Sequence, residues 1–279
     1  MENITKEHIV TQLRKEVDAT SGNKAAHKIG ISSATISHML AGKWEKISDD
    51  LFRTVEKKLK VNHEWVFVET PESKLLNNFL VDAKENANVY GICAEAGYGK
   101  TEVTSMFSNE ENVFVVSCAD YFNRTTFLAE LLTMMGKDSG GVSLSQMMTT
   151  ITTIVNKADK PLLVFDEADK LSDSVLYFFI TLYNKLQDKS GIILIATEQL
   201  EKRILKGIAQ GKKGYAEIYS RLGRRFIHLP KYSKKSIFSI INANGITEQL
   251  MCTEIHNDSD GDVRRVKRLV HAKKLKSAA

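Results

Sequence analysis

Residues 94–101 read Ala-Glu-Ala-Gly-Tyr-Gly-Lys-Thr, and they sit between a short β-rich run, Asn88 to Ala94, and a helical stretch, Thr101 to Phe107. A strand, a glycine-rich turn and a helix in that order leave the chain few ways to fold. Gly97 and Gly99 let backbone N–H groups curl round an anion, and the helix start adds the positive end of its dipole. Lys100 is placed to bond the β- and γ-phosphate oxygens of a nucleotide, and the Thr101 hydroxyl to hold Mg²⁺. Ala94, Glu95, Ala96, Gly97, Tyr98, Gly99, Lys100 and Thr101 are therefore the candidate cradle for ATP and magnesium. The usual GxxxxGK[ST] loop begins with Gly, so Ala94 requires an entry turn that tolerates a Cβ. A glycine-rich turn without a ligand is the alternative.

A second segment, Leu162-Leu163-Val164-Phe165-Asp166-Glu167-Ala168-Asp169, follows about 65 residues after the loop. Its apolar run reads as a buried strand that delivers two carboxylates to the C-terminal edge of a sheet, beside the loop. Asp166 suits the contact to the Mg²⁺ site, and Glu167 suits orientation of the water that attacks the γ-phosphate. Thr197, at the tip of the run Gly191 to Ala196, is the candidate polar contact to that water or to the phosphate. Arg221, Arg224 and Arg225 precede a further β-rich run, Arg225 to Leu229. Arg264 follows Gly261-Asp262-Val263 at a helix start, where a cation opposes the macrodipole, so a binding role is favoured over a stabilising one. Ordinary surface arginines are the alternative for each.

The remaining pattern alternates. Runs at Asn88 to Ala94, Asn112 to Ser117, Leu162 to Phe165, Gly191 to Ala196 and Arg225 to Leu229 are separated by helical stretches such as Thr126 to Met135 and Ser174 to Leu186. This predicts an α/β fold with a parallel five-stranded sheet covered on both faces. After Leu229 the spacing is helical again, at Lys234 to Asn244, Thr247 to His256 and Val263 to Leu275. No repeat of fixed period is visible.

The first 62 residues read as short helices. Asn23 to Ile29, Gly30 and Ser32 to Leu40 have helix-turn-helix spacing, with Ile31, Ile36 and Leu40 as the apolar face. Ser33, Ala34, Thr35 and Ser37 would then face a major groove, and Lys43 and Lys46 would meet phosphates. A generic helical hairpin is the alternative. The expected division is 1–62 for a helix-turn-helix domain, 63–75 for a connector, 76–230 for the P-loop core and 231–279 for a helical end.

Composition narrows the class further. No apolar run approaches the ~20 residues that span a bilayer, and MENITKEHIV carries charge where a signal peptide needs an apolar stretch. A cytoplasmic protein without a membrane partner is expected. The three cysteines, Cys93, Cys118 and Cys252, show no CxxC spacing, which supports neither a disulfide framework nor a zinc site. Charge is uneven: residues 1–75 carry net +1, residues 76–199 net −7 and residues 200–279 net +11. A basic end attracts a polyanion through counterion release. Within it, Lys202 to Gly214 reads as a mobile, glycine-containing loop. Its Arg203, Lys206, Lys212 and Lys213 would bind a phosphate backbone without base readout. A solvated loop is the alternative.

In this order, the P-loop, the DEAD segment, Thr197, Ser220-Arg221-Leu222-Gly223-Arg224-Arg225 and Gly261-Asp262-Val263-Arg264-Arg265 resemble an AAA+ ATPase. The N-terminal AxxxGIsxxtIS pattern resembles the small DNA-binding domains of phage repressors. Including Phe67-Val68-Glu69-Thr70 and Gly97-Tyr98-Gly99-Lys100-Thr101-Glu102, the chain is most similar to the phage Mu B family of transposon target-selection ATPases. That resemblance implies the sheet order 5-1-4-3-2, a small helical lid, a nucleotide site extending through Glu102, and homo-oligomers built as rings or helical filaments. It also implies that Arg264 is a lid arginine on the γ-phosphate and that Arg221 or Arg224 is an arginine finger. The expected activity is ATP-dependent, largely sequence-independent binding of duplex DNA and its delivery to a transposase. Ala94 and Thr197 depart from the family, Thr197 standing where the Mu protein has Asn. A transcriptional regulator with a nucleotide-switch domain and a replication loader-type AAA+ protein are the competing readings.

Overall fold

The computed structural model describes residues 3–59 and 65–278. The expected domain boundary at 62/63 and the first connector residues, His63 and Glu64, lie outside the described residues. By internal contacts the chain divides into Met1–Phe67 with Asn242–Thr247, and Val68–Ile241 with Glu248–Ala279.

The first unit contains α1 (Asn3–Ala19), α2 (Gly22–Ile29), α3 (Ser33–Leu40) and α4 (Asp49–Leu59). Ser21 and Ser32 accept the Lys24 and Thr35 N–H groups, so the starts of α2 and α3 are capped by side chains. Between them Gly30 takes a left-handed conformation, φ 82°, which closes α2. Ile9, Leu13, Ala25, Ala26, Ile29, Ile36, Met39, Phe52 and Val55 form the core. Met39 rather than Leu40 fills the last buried position of α3, because α3 turns its i+3 neighbour of Ile36 inward.

The second unit opens with α5 (Pro71–Asn86), started by a Thr70/Ser73 capping box and by Pro71 in its first turn. It continues with β1 (Val89–Cys93), α6 (Lys100–Phe107), β2 (Val113–Ser117), α7 (Arg124–Met134), α8 (Leu144–Lys157), β3 (Leu162–Asp166) and α9 (Asp173–Leu186). Then follow β4 (Gly191–Ala196), α10 (Glu198–Ala209), α11 (Tyr215–Arg221), β5 (Ile227–His228), α12 (Lys234–Ala243), α13 (Gln249–Ser259) and α14 (Val263–Ala278). The five strands are parallel in the order β5-β1-β4-β3-β2, as the resemblance implies. β3 and β4 are buried throughout because helices cover both faces. Leu163 and Phe165 point to one face and join Phe127, Ile151, Leu176 and Phe179 there, while α5 packs on the other against β1, β3 and β4.

Two expectations need correction, and one helix was not among those named from the sequence. The Lys202 to Gly214 segment is not a mobile loop: α10 runs through most of it, and only the turn before α11 is irregular. Gly207 serves packing, since a Cβ there would lie 2.5 Å from the ring of Tyr215, itself 1% exposed. α8 was not foreseen, because its Thr-rich sequence favours a strand locally. A Ser143/Gln146 capping box and the inward spacing of Met147, Met148, Ile151 and Val155 override that preference. The fifth strand is shorter than expected, two residues in place of Arg225 to Leu229.

Candidate nucleotide-binding site

β1 delivers its last residue into a turn in which Gly97 (φ 77°) and Gly99 (φ 75°) both adopt left-handed backbone conformations. L side chains resist this region, which explains both glycines. Ala94 is buried and is not among the positive-φ residues, so its Cβ brings no backbone strain. Lys100 opens α6 and reaches back, its ammonium donating to the carbonyl oxygens of Ala94 and Glu95 at 2.9 Å each. Burial pushes its pKa down, with the Asp166 and Asp169 charges acting in the opposite sense. Arg264, exposed in the first turn of α14, adds to the downward push and is therefore within electrostatic reach of Lys100.

Thr101 donates to Asp166 Oδ2 at 3.3 Å, which joins the P-loop to the tip of β3. Asp166 is 2% exposed, and its other oxygen accepts the Glu167 N–H at 2.9 Å. Burial pushes the Asp166 carboxyl up, against the pull of the Glu167 N–H and Lys100. A hydroxyl and a carboxylate oxygen facing one another are hard donors of the kind Mg²⁺ takes while keeping several waters. Thr101 and Asp166 are the residues that would hold it, and its charge would relieve the buried carboxylate.

Glu167 sits in the left-handed region, φ 56°, at the turn after β3, and its carboxylate accepts from Lys170 Nζ at 2.6 Å. Asp169 holds Thr197 twice: its oxygens accept the Thr197 N–H at 3.2 Å and its hydroxyl at 3.1 Å. Thr197 also caps α10 by accepting the Gln199 N–H. Arg203 is turned inward instead of toward solvent phosphates. Its guanidinium donates to Asp169 O at 3.3 Å and Leu171 O at 2.8 Å, so it braces the segment after β3. Lys206, Lys212 and Lys213 are exposed, the first on α10 and the others in the turn that follows.

The two candidate fingers differ. Arg221 donates to Asn184 Oδ1 at 3.3 and 3.2 Å and to Glu217 at 3.1 Å, and it lies 5.2 Å from the centre of the Tyr183 ring. Arg224 is exposed at φ 57°, with no side-chain partner among the described residues. Glu102 is exposed in the first turn of α6. In the first unit, Ser33 and Lys43 are exposed, whereas Thr35 is half-buried with its hydroxyl 2.8 Å from that of Ser32. The accessible face of α3 is thus Ser33, Ala34, Ser37 and His38, and Thr35 is withdrawn from it by its contact with the cap.

Sequence reasoning missed the other wall of the site. A cavity of about 200 Å³ adjoins the loop, lined by Tyr98, Leu229, Lys231, Tyr232, Asp262 and Arg265 among others. The Tyr98 and Tyr232 rings lie 5.0 Å apart, and Tyr98 donates to Glu72 O at 3.2 Å. Glu72 is 5% exposed, and it accepts the Ser233 N–H at 2.8 Å and the Ser236 hydroxyl at 2.7 Å. Burial pushes its carboxyl up, but these donors outweigh burial and hold it below the ordinary value. Asp262 rests on Gly97 so closely that a Cβ there would lie 2.2 Å from its carboxylate, and the Val263 N–H donates to Gly97 O at 3.0 Å. Asp262 also accepts the Arg265 N–H at 3.1 Å, capping α14. The only local signs of these partners were the Thr-Pro-Glu-Ser cap and the Gly-Asp before the last helix.

A family model described as an AAA domain matches residues 83–204. Among solved structures, the chain is similar to a RuvB mutant of Thermotoga maritima, with 17% identity, 72% of this chain and 60% of that chain covered, and a TM-score of 0.41. It is also similar to Hsp104 in a closed state with ATPγS and FITC casein, with 12% identity, 99% and 59% coverage, and a TM-score of 0.45. The chain spans about three fifths of the length of these two structures. No curated protein matches it. The domain match, the sheet order and the loop agree on a P-loop nucleotide-binding fold whose residues 83–204 are similar to an AAA domain. Among the described residues, no helix is long and apolar enough to cross a membrane.

Proposed function

We propose that the chain is a Mg²⁺-dependent ATPase that assembles on duplex DNA with little sequence preference and delivers that DNA to a transposase. The observation that carries the nucleotide part is the meeting of Lys100, Thr101 and Asp166 on one sheet edge, with Asp262 of the helical end seated on Gly97. Lys100 exchanges its two loop carbonyls for β- and γ-phosphate oxygens. Thr101 and Asp166 would hold the metal, which would supply charge neutralisation at the phosphates. Glu167 leaves Lys170 to orient the attacking water, and Thr197, positioned by Asp169, contacts the same region. Arg264 senses the γ-phosphate, so its loss releases the helical end from the P-loop. Arg224 reaches the neighbouring protomer's nucleotide more readily than Arg221, which its own protomer already engages.

The DNA part is supported by the net charge of +11 over residues 200–279 and by the exposure of Lys206, Lys212 and Lys213. The α2–α3 pair, read as a helix-turn-helix, adds Ser33 and Lys43. Transposase delivery rests on the resemblance of the motif order to that of the target-selection ATPases. A regulator with slow turnover is the second reading, and the pairing of Glu167 with Lys170 favours it. Steady-state ATP hydrolysis with and without nonspecific duplex separates the two. The proposal expects stimulation by any duplex sequence; turnover indifferent to DNA, or responsive to one operator only, contradicts it.

A further inference from the structure

Cys93, Glu201 and His228 stand far apart in sequence, yet the topology brings them to one edge of the sheet. Cys93 ends β1, and its register partners are Ala196 at the end of β4 and His228 at the end of β5. Registered residues on parallel strands send their side chains to the same face, so Cys93 and His228 share one. The chain leaves β4 into α10, whose first turn carries Glu201 back over that edge. Glu201 Oε2 lies 2.8 Å from His228 Nε2 and 4.0 Å from Cys93 Sγ. One ligand atom from each residue falls within 4.8 Å of the other two.

We propose that Cys93, Glu201 and His228 form a three-ligand site for a zinc-class divalent cation, with its fourth position open to solvent beside His228. Bonds of ~2.0–2.3 Å in a tetrahedral zinc site put neighbouring ligand atoms roughly 3.3–3.7 Å apart. The Glu201–His228 pair needs to open slightly and the Cys93 thiol to close slightly. A thiolate and a carboxylate balance the dication while the imidazole stays neutral. Thiolate with imidazole selects zinc or cobalt over magnesium, which keeps this site chemically separate from the oxygen donors at Thr101 and Asp166. On binding, the metal takes the place of the thiol proton, which passes to solvent; the His228 proton moves from Nε2 to Nδ1, freeing Nε2, and two metal bonds replace the Glu201–His228 contact. Burial, together with the charges of Glu201, Glu198 and Asp169, pushes the Cys93 thiol up to about 12. Because Ala94 follows Cys93, a bound metal ties the root of the P-loop to β5 and α10.

The test uses the full chain, reduced, stripped of metal with a chelator and free of nucleotide, titrated with cobalt(II). A thiolate-to-cobalt charge-transfer band in the near ultraviolet, saturating at one cobalt per chain and bleached by zinc, is expected. Cys93→Ser should abolish the band, whereas Cys118→Ser and Cys252→Ser should leave it. Glu201→Gln and His228→Gln should each weaken cobalt binding roughly tenfold or more. Should Cys93→Ser fail to fold, His228→Gln decides alone, since that side chain is 51% exposed and its loss spares the core. Cobalt bound without a thiolate band, a band that survives Cys93→Ser, or affinity unmoved by His228→Gln overturns the proposal. None of these results touches the P-loop reading, which concerns a different donor set.

Discussion

Lys100 already makes, with two backbone carbonyls, the kind of charge-assisted bond it is proposed to make with phosphate. Its replacement therefore removes a pre-positioned cation without leaving an unsatisfied donor. Lys100→Ala should weaken ATP binding roughly 10- to 100-fold, the worth of charged hydrogen bonds at ~1.5–3 kcal/mol, while the fold persists. Titration calorimetry checks this, and unchanged affinity would refute the assignment. Glu167→Gln should bind ATP normally and turn over more slowly by about 10²–10⁴, the span of a general-base contribution; single-turnover hydrolysis reads it. Arg203 and the Lys212/Lys213 pair part company. Arg203→Ala should lower stability by about 1–3 kcal/mol through the freed carbonyls of Asp169 and Leu171, with DNA affinity intact. Lys212→Ala with Lys213→Ala should weaken binding to all sequences and reduce the salt slope by about 2. Thermal melts and binding isotherms at several salt concentrations distinguish the two outcomes.

At the scale of elements, the helical end is joined to the P-loop core by contacts that sequence spacing does not reveal. Glu72 at the start of α5 receives the N–H and hydroxyl groups that open α12, and Asp262 at the start of α14 rests on Gly97. Because the folded Glu72 carboxyl sits below its ordinary value of 4.5, its contribution is present above that value and is lost as pH falls through the lower, folded one. Glu72→Gln should thus cost about 1–2 kcal/mol at neutral pH and progressively less in acid. Denaturation midpoints measured against pH test this, and a cost independent of pH would contradict it. The same scale explains what was legible. The β-branched runs identified the five strands, and contiguous motifs placed Lys100, Thr101 and Asp166 together, because each signal lies within a few residues of chain. α10 was hidden by Gly207, whose reason is the distant ring of Tyr215. Tyr232, Asp262 and the Cys93–Glu201–His228 group were hidden likewise, since nothing near them in sequence announces partners brought in by the fold.

For the whole molecule, the account requires that the nucleotide site and the basic C-terminal part act together. In the proposed function, the acidic middle of the chain carries the site and the +11 of residues 200–279 is the source of affinity for a polyanion. On that proposal, assembly places many copies of that charge along one duplex, and ATP held by Lys100 and clasped by Arg224 of a neighbouring copy stabilises the assembled state. The measurement that tests this most directly is light scattering with electron microscopy on the purified chain, with Mg²⁺ and a nonhydrolysable ATP analogue, with and without nonspecific duplex. Nucleotide-dependent oligomers that grow on DNA, and are lost in Lys100→Ala, are the predicted result. A chain that stays monomeric under all of these conditions contradicts the account.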